Sequence, residues 1–171
     1  ASELLPDMLG RGTDKMSFSE FRDRLDELNA SMRFGGSAGV LTVSIQTKKD
    51  DLPSVLDLMQ AALRHPALEP KELDVIKRET ITRLESMKSD PQQLAFNGLR
   101  RKLSPYPSEN VRYVPSIEEE ITRTDSVTLQ QIERLQSQYL NGQHGELAIV
   151  GDFDPTASLE KLQQIFLILL N

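Results

Sequence analysis

The sequence contains no cysteine. It therefore carries neither a disulfide nor a thiolate metal site, and it says nothing about redox compartment. Histidine is nearly absent as well: His65 and His144 are the only two. They stand far apart, each beside a turn-forming Pro or Gly, and read as surface or capping residues. Neither has a context that marks the base of a nucleophile, so Ser/His/Asp and Cys/His chemistry find no support. Basic charge is in short supply: 20 Lys and Arg face 26 Asp and Glu, a net charge of −6. The longest basic runs are Lys48-Lys49 and Arg100-Arg101-Lys102. A nucleic-acid or anionic-membrane surface needs a larger basic patch than that. Long apolar runs are missing too, and no signal peptide or transmembrane span is visible. The six apolar residues from Ile165 to Leu170 read as a helix end that needs a neighbour, or as a cut boundary.

What is present suits one domain with a sizeable core: 171 residues, 38% hydrophobic and 27% charged. A first helix ends at Gly10 or Gly12. Ser17, with Glu20 three residues on, forms a capping box. Phe18, Phe21, Leu25 and Leu28 then give an amphipathic helix over about 18–29. Met32 and Phe34, a Gly-rich turn over 35–39, and Leu41, Val43 and Ile45 read as a hairpin. That turn lacks the G-K-[ST] of a phosphate loop and links two strands, so it is read as a turn. Helices follow from about 50 to His65-Pro66, over about 70–88, and from Pro91 to about Leu103. Pro105, Pro107 and Pro115 predict an irregular ordered loop. A short helical turn over 117–121, a helix over 128–140, a strand over 146–150 and a helix over 156–169 complete the chain. The strand is near-continuously apolar, which predicts cover on both faces.

Strands and helices are segregated, which predicts an α+β fold: a small mixed or antiparallel sheet covered by several helices. Three strands are few for so many helices, so a strand or two is expected upstream of residue 1. The chain starts inside a helix and is expected to be one domain, 1–171, of a longer multidomain polypeptide.

The segment Glu3-Leu4-Leu5-Pro6-Asp7-Met8-Leu9-Gly10-Arg11-Gly12-Thr13 resembles the H-x-x-E-H-M-L-x-x-G-T helix of the pitrilysin/insulinase family of zinc peptidases. Met8-Leu9 and Gly12-Thr13 match its tail. Residues 72–79, beginning Glu72-Leu73-Asp74-Val75-Ile76, are similar to the family's E-x-x-V-I-x-x-E stretch. The stretch from Tyr113 to Glu119 resembles its loop and small helix, and that from Leu147 to Asp152 its closing strand and turn. The resemblance spans nearly the whole chain and implies a metallopeptidase-half architecture of the LuxS/processing-peptidase type. It also implies a molecule of two related halves that close like a clamshell, with zinc in the first.

Counting back from Met8, Glu3 stands at the first His position, Pro6 at the catalytic Glu and Asp7 at the second His. Glu79 stands at the third-ligand position. An inverted zinc site needs two imidazoles one turn apart and a carboxylate beside the second. Pro6 has no acid or base function, and a lone Glu79 is not a zinc site. The resemblance therefore implies an inactive second-half domain with no catalytic residue and no metal of its own. Zinc is expected in a catalytic half, on the same chain or on a separate subunit. The family's R-x-x-x-Q-L-G-Y substrate motif is absent, and Arg112-Tyr113 reads as a loop anchor. Glu118-Glu119-Glu120 reads as a solvated acidic face, and Glu72 with Glu79 as a solvated or hydrogen-bonded one.

The functional expectation is a non-catalytic peptidase-like domain that helps enclose a substrate chamber and contacts peptide. The strand from Gly39 to Gln46 would form part of a sheet whose exposed edge takes up extended peptide. The other expectation is a structural or assembly subunit without substrate contact, since core proteins of a respiratory complex look like members of this family. An active peptidase with an unrecognised site is a third reading, which zinc-dependent peptide hydrolysis would reveal. A bacterial periplasm or cytoplasm suits the resemblance equally.

Overall fold

A computed structural model describes residues 1–37, 39–110, 112–140 and 145–167. The chain winds around a short first helix, α1 (Leu5–Leu9), whose residues Leu5, Pro6, Met8 and Leu9 are all buried. A five-residue helix cannot stand alone, so packing holds it. Pro6 sits in its first turn, where a missing N–H costs least, and Gly10 closes it.

Helix α2 (Phe18–Glu27) opens with the expected capping box. The Ser17 hydroxyl accepts from the Glu20 N–H, and the Glu20 carboxylate accepts from the Ser17 N–H at 2.8 Å. Its Phe21 and Leu25 pack on Leu58 and Ala62 as a small secondary core. Strands β1 (Ser31–Ser37) and β2 (Val40–Gln46) form an antiparallel hairpin in register Ser31↔Gln46 through Ser37↔Val40. The turn is tighter than the sequence suggests, because Gly35, Gly36 and Ser37 belong to β1. Gly36 has φ of +153°, and an added Cβ would lie 2.1 Å from the Val40 carbonyl oxygen. Gly36 thus lets two backbones approach closely.

Helices α3 (Leu52–Arg64), α4 (Pro70–Met87) and α5 (Pro91–Leu103) follow. The apolar face of α3 (Leu56, Met59, Leu63) meets Leu73 and Ile76 of α4 and Met8 and Leu9 of α1 in the main core. Ile132 of α7 (Leu129–Tyr139) and Leu162 and Ile165 of α8 (Pro155–Leu167) complete that cluster. Ile165 and Phe166, the start of the six-residue apolar run, accordingly find their neighbour in this core; Ile168, Leu169 and Leu170 lie outside the described residues.

Between α5 and α6 (Ile117–Asp125) the Pro-rich loop has no regular structure, as expected. Helix α6 runs one turn beyond the expected 117–121. The capping box of Ser116 and Glu119 starts it, and contact with α4 extends it.

Residues 146–150 depart from expectation. They are in no ladder, Leu147 is 49% exposed and Val150 is 97% exposed. A strand exists only with a partner for its main chain, and among the described residues none runs beside it. Among the described residues the sheet is two-stranded, and the fold is α+β. Among the described residues, no helix is long and apolar enough to cross a membrane.

Candidate functional site

The helix that would carry a metal motif and the helix that would supply a third ligand lie against each other. Between them Arg11 reaches from the end of α1 to α4. Its Nη1 donates to Glu72 Oε2 at 3.4 Å, and its Nη2 donates to Glu79 Oε2 at 2.8 Å. Glu72 and Glu79 are seven residues apart on α4, which places both on one face. The guanidinium also stacks over the Phe18 ring, 4.7 Å from its centroid. Arg11 and Glu72 are largely buried, while Glu79 is open to solvent.

Asp7 borders the same charges. Partial burial pushes its carboxyl above the ordinary 3.8, and Glu79 adds to the rise; Arg11 and Arg83 oppose it. Glu120 of α6 is raised in the same way, by burial and then by Glu3, against Arg83 and Arg100. Glu3, Asp7, Glu79 and Glu120 therefore share a field balanced by arginines. Glu3 is exposed and Pro6 is buried without a donor atom.

This donor set does not fit zinc. Among the described residues no imidazole reaches it, and the Glu79 carboxylate is engaged by Arg11. Among the described residues no group of three His, Cys, Asp or Glu side chains is placed to hold a metal ion.

His65 is exposed and ends α3, and its carbonyl accepts from the Asp14 N–H at 2.7 Å. His144 lies outside the described residues. Arg112-Tyr113 anchors its loop. Tyr113 Oη donates to the Glu119 carboxylate at 2.8 Å, and Arg112 reaches Tyr106 Oη at 3.2 Å. Tyr113 is held protonated above its usual range by that bond. Glu118 and Glu119 are solvated as expected; Glu120 is half-buried.

Arg11 is the residue that sequence reading missed. The available signal was charge: a motif helix and a facing helix bring three carboxylates, Asp7, Glu72 and Glu79, beside one arginine set between two glycines.

The second feature is a cleft of ≈ 1110 Å³. It is bounded by Val40 to Val43, Ile45 and Gln46 of β2, by Leu56, Met59 and Leu63 of α3, and by residues 145–150. Along β2, Leu41, Val43 and Ile45 are half-buried against the main core while the residues between them are exposed. Lys49 and Asp152, both on the cleft's rim, are joined at 2.9 Å.

Among solved structures, the fold resembles a peptidase M16 inactive domain from Pseudomonas fluorescens. The TM-score is 0.63 at 19% identity, over 76% of this chain and 31% of that one. It also resembles a mutant of the ferredoxin protease FusC solved in complex with Arabidopsis ferredoxin. There the TM-score is 0.64 at 14% identity, over 99% of this chain and 18% of that one. The chain thus spans about a third of the first protein and under a fifth of the second. No curated protein sequence matches it significantly. The family model described as Insulinase (Peptidase family M16) matches residues 1–107. That match takes in the degenerate motif helix, the hairpin and the facing helix α4, and the chain belongs to the insulinase family of peptidases, family M16.

Proposed function

We propose that this chain is a non-catalytic domain of a larger zinc metallopeptidase, forming part of the wall of the substrate chamber opposite a zinc-bearing half. One observation carries the reading: at the motif helix, Arg11 takes up the Glu79 carboxylate that a metal would need. The domain holds peptide without cleaving it, closes the chamber and excludes water. The sheet that includes Gly39 to Gln46 provides main-chain donors and acceptors for an extended peptide. The solved relatives are several-fold longer than this chain, which supports a longer multidomain polypeptide as its setting. The FusC neighbour, solved with ferredoxin bound, makes a polypeptide substrate a reasonable class of ligand.

The test uses a fluorogenic peptide and the domain after zinc incubation and desalting. The expected result is no stoichiometric zinc, no chelator-sensitive turnover, and peptide binding by fluorescence anisotropy. Its catalytic partner half should lose activity when assayed without it. Zinc at one equivalent with turnover would overturn the reading.

A second reading, an assembly subunit without substrate contact, draws on α5. That helix buries no residue, and Phe96, Leu99 and Leu103 lie exposed on one side of it. A stable complex that leaves peptide turnover unchanged would favour this reading.

A further inference from the structure

Arg64 stands in the last turn of α3, where an arginine ordinarily bonds the open carbonyls of the helix end. Here those carbonyls are taken. Ala61 O accepts from the His65 N–H at 2.8 Å, Leu63 O from Gln136 Nε2 of α7 at 3.0 Å, and His65 O from the Asp14 N–H at 2.7 Å. The one acidic side chain of α3, Asp57, is paired with Lys161. Arg64 Nε and Nη2 are shut from solvent and donate to no acceptor among the described residues. The negative end of α3 eases the charge, but it leaves both N–H groups unmatched, and a buried charged donor without an acceptor is costly. The two atoms are also a particular pair. Nε–H and the neighbouring Nη2–H are parallel donors on one edge of the guanidinium plane, the fork that takes both oxygens of a carboxylate or phosphate.

We propose that the Nε–Nη2 edge of Arg64 is a receptor for an oxyanion of the carboxylate or phosphate class, held by two parallel hydrogen bonds at the end of α3. The oxyanion comes from an acidic group of a partner polypeptide or from a free phosphate; the fork reads the same two oxygens in either. Arg64 as a whole is only partly buried, so the edge lies close under the surface. Among the described residues the Gln136–Leu63 bond is the only hydrogen bond between α3 and α7, so the seam beside Arg64 is lightly held. Turning the guanidinium outward loses packing along its stem. Water offsets that loss with ordinary hydrogen bonds, whereas an oxyanion does so with two charge-assisted ones, each roughly twice as strong. The edge therefore selects an anion over water. With a net charge of −6, the surface at large repels anions, so binding is confined to this fork. The proposal rests on neither reading of the domain's role.

The test is thermal unfolding of the 171-residue chain and of its Arg64→Met and Arg64→Lys variants, in sodium phosphate, sodium acetate and sodium chloride at equal ionic strength. Met keeps the stem and drops the fork, while Lys keeps the charge and drops the fork. In chloride, Arg64→Met should melt about 2 °C or more above the parent, because a buried charge without a partner has been removed. Phosphate should close or reverse that gap. A Kd of about 10 mM makes folding about tenfold more favourable in about 0.1 M phosphate. That is a rise of about 3 °C for a chain of this size, and neither variant should show it. Stabilisation by phosphate excluded from the surface acts on all three proteins alike and cancels in the comparison. The NMR signal of the Arg64 Nε–H should shift over the same phosphate range. Phosphate acting at lower concentration than acetate identifies a phosphate ligand and the opposite order a carboxylate; both bear the proposal out. A phosphate response shared by the Met variant would overturn it, and so would one kept by the Lys variant. Arg64→Met melting below the parent in chloride would show the fork satisfied within the chain, and would overturn it as well. None of these readouts depends on zinc or turnover, so failure here leaves both readings of the domain standing.

Discussion

At the scale of single residues, Arg11 balances the carboxylates at this site. A metal would have neutralised Glu79; here Arg11 does, while also satisfying the more buried Glu72 and stacking on Phe18. Replacing Arg11 by Met should cost about 1–3 kcal/mol, because Glu72 is left shielded without its charged partner. Glu79→Gln should cost under about 1 kcal/mol, since that carboxylate is solvent-screened. Urea denaturation of both variants measures the difference, and equal losses would mean that Glu79 carries the interaction. Asp7 gives a pH prediction of opposite sign to the usual acid effect. Its folded-state pKa lies above the ordinary 3.8, so its contribution favours folding below that value and is lost as pH rises through the raised one. Asp7→Asn should therefore stabilise the fold at neutral pH by less than about 1 kcal/mol after screening, read as a higher Tm. The advantage should fade toward pH 3.8, and a Tm difference independent of pH would contradict the assignment.

At the scale of elements, the Gly-Thr tail of the motif has a local reason to be what it is. Gly12 has φ of +109°, and a Cβ there would lie 2.6 Å from the Met16 carbonyl oxygen. The tight return it allows lets Thr13 bridge to both Met16 and Pro66, tying α1 to the end of α3. Gly12→Ala should therefore destabilise by about 1–3 kcal/mol. Gly98, inside α5 with nothing within 4 Å of an added Cβ, is the matched control. Gly98→Ala should stabilise by about 0.5–1 kcal/mol through helix propensity. Thermal melts of the pair decide it, and two changes of the same sign would contradict this account. Helix boundaries with chemical markers were legible in the sequence: the Ser17 box and the Pro91 start of α5. The length of α6 and the inclusion of Gly35 and Gly36 in β1 were not. Both depend on what packs or pairs from far along the chain.

At the scale of the whole molecule, exposed apolar surface is concentrated at α5 and at the β2 cleft. Phe96, Leu99 and Leu103 form an exposed face of α5, and Arg100, Arg101 and Lys102 stand between Leu99 and Leu103 in its last turn. Substituting Phe96 and Leu103 by Ser should change stability by no more than about 0.5 kcal/mol, because neither is buried. It should reduce self-association seen by light scattering. Unchanged scattering would remove α5 as an assembly surface, and a large fall in Tm would show that the face is covered.

Sequence alone determined the α+β class and the order of helices and hairpin. These follow from periodicity, caps and the side-chain types at a few positions, all of which are local. Tertiary structure decided the rest. Arg11 meets Glu72 and Glu79 across 61 and 68 residues of chain, and no local pattern encodes that distance. Residues 146–150 have the composition of a strand but not its pairing, because a strand is a relation between two segments and not a property of one.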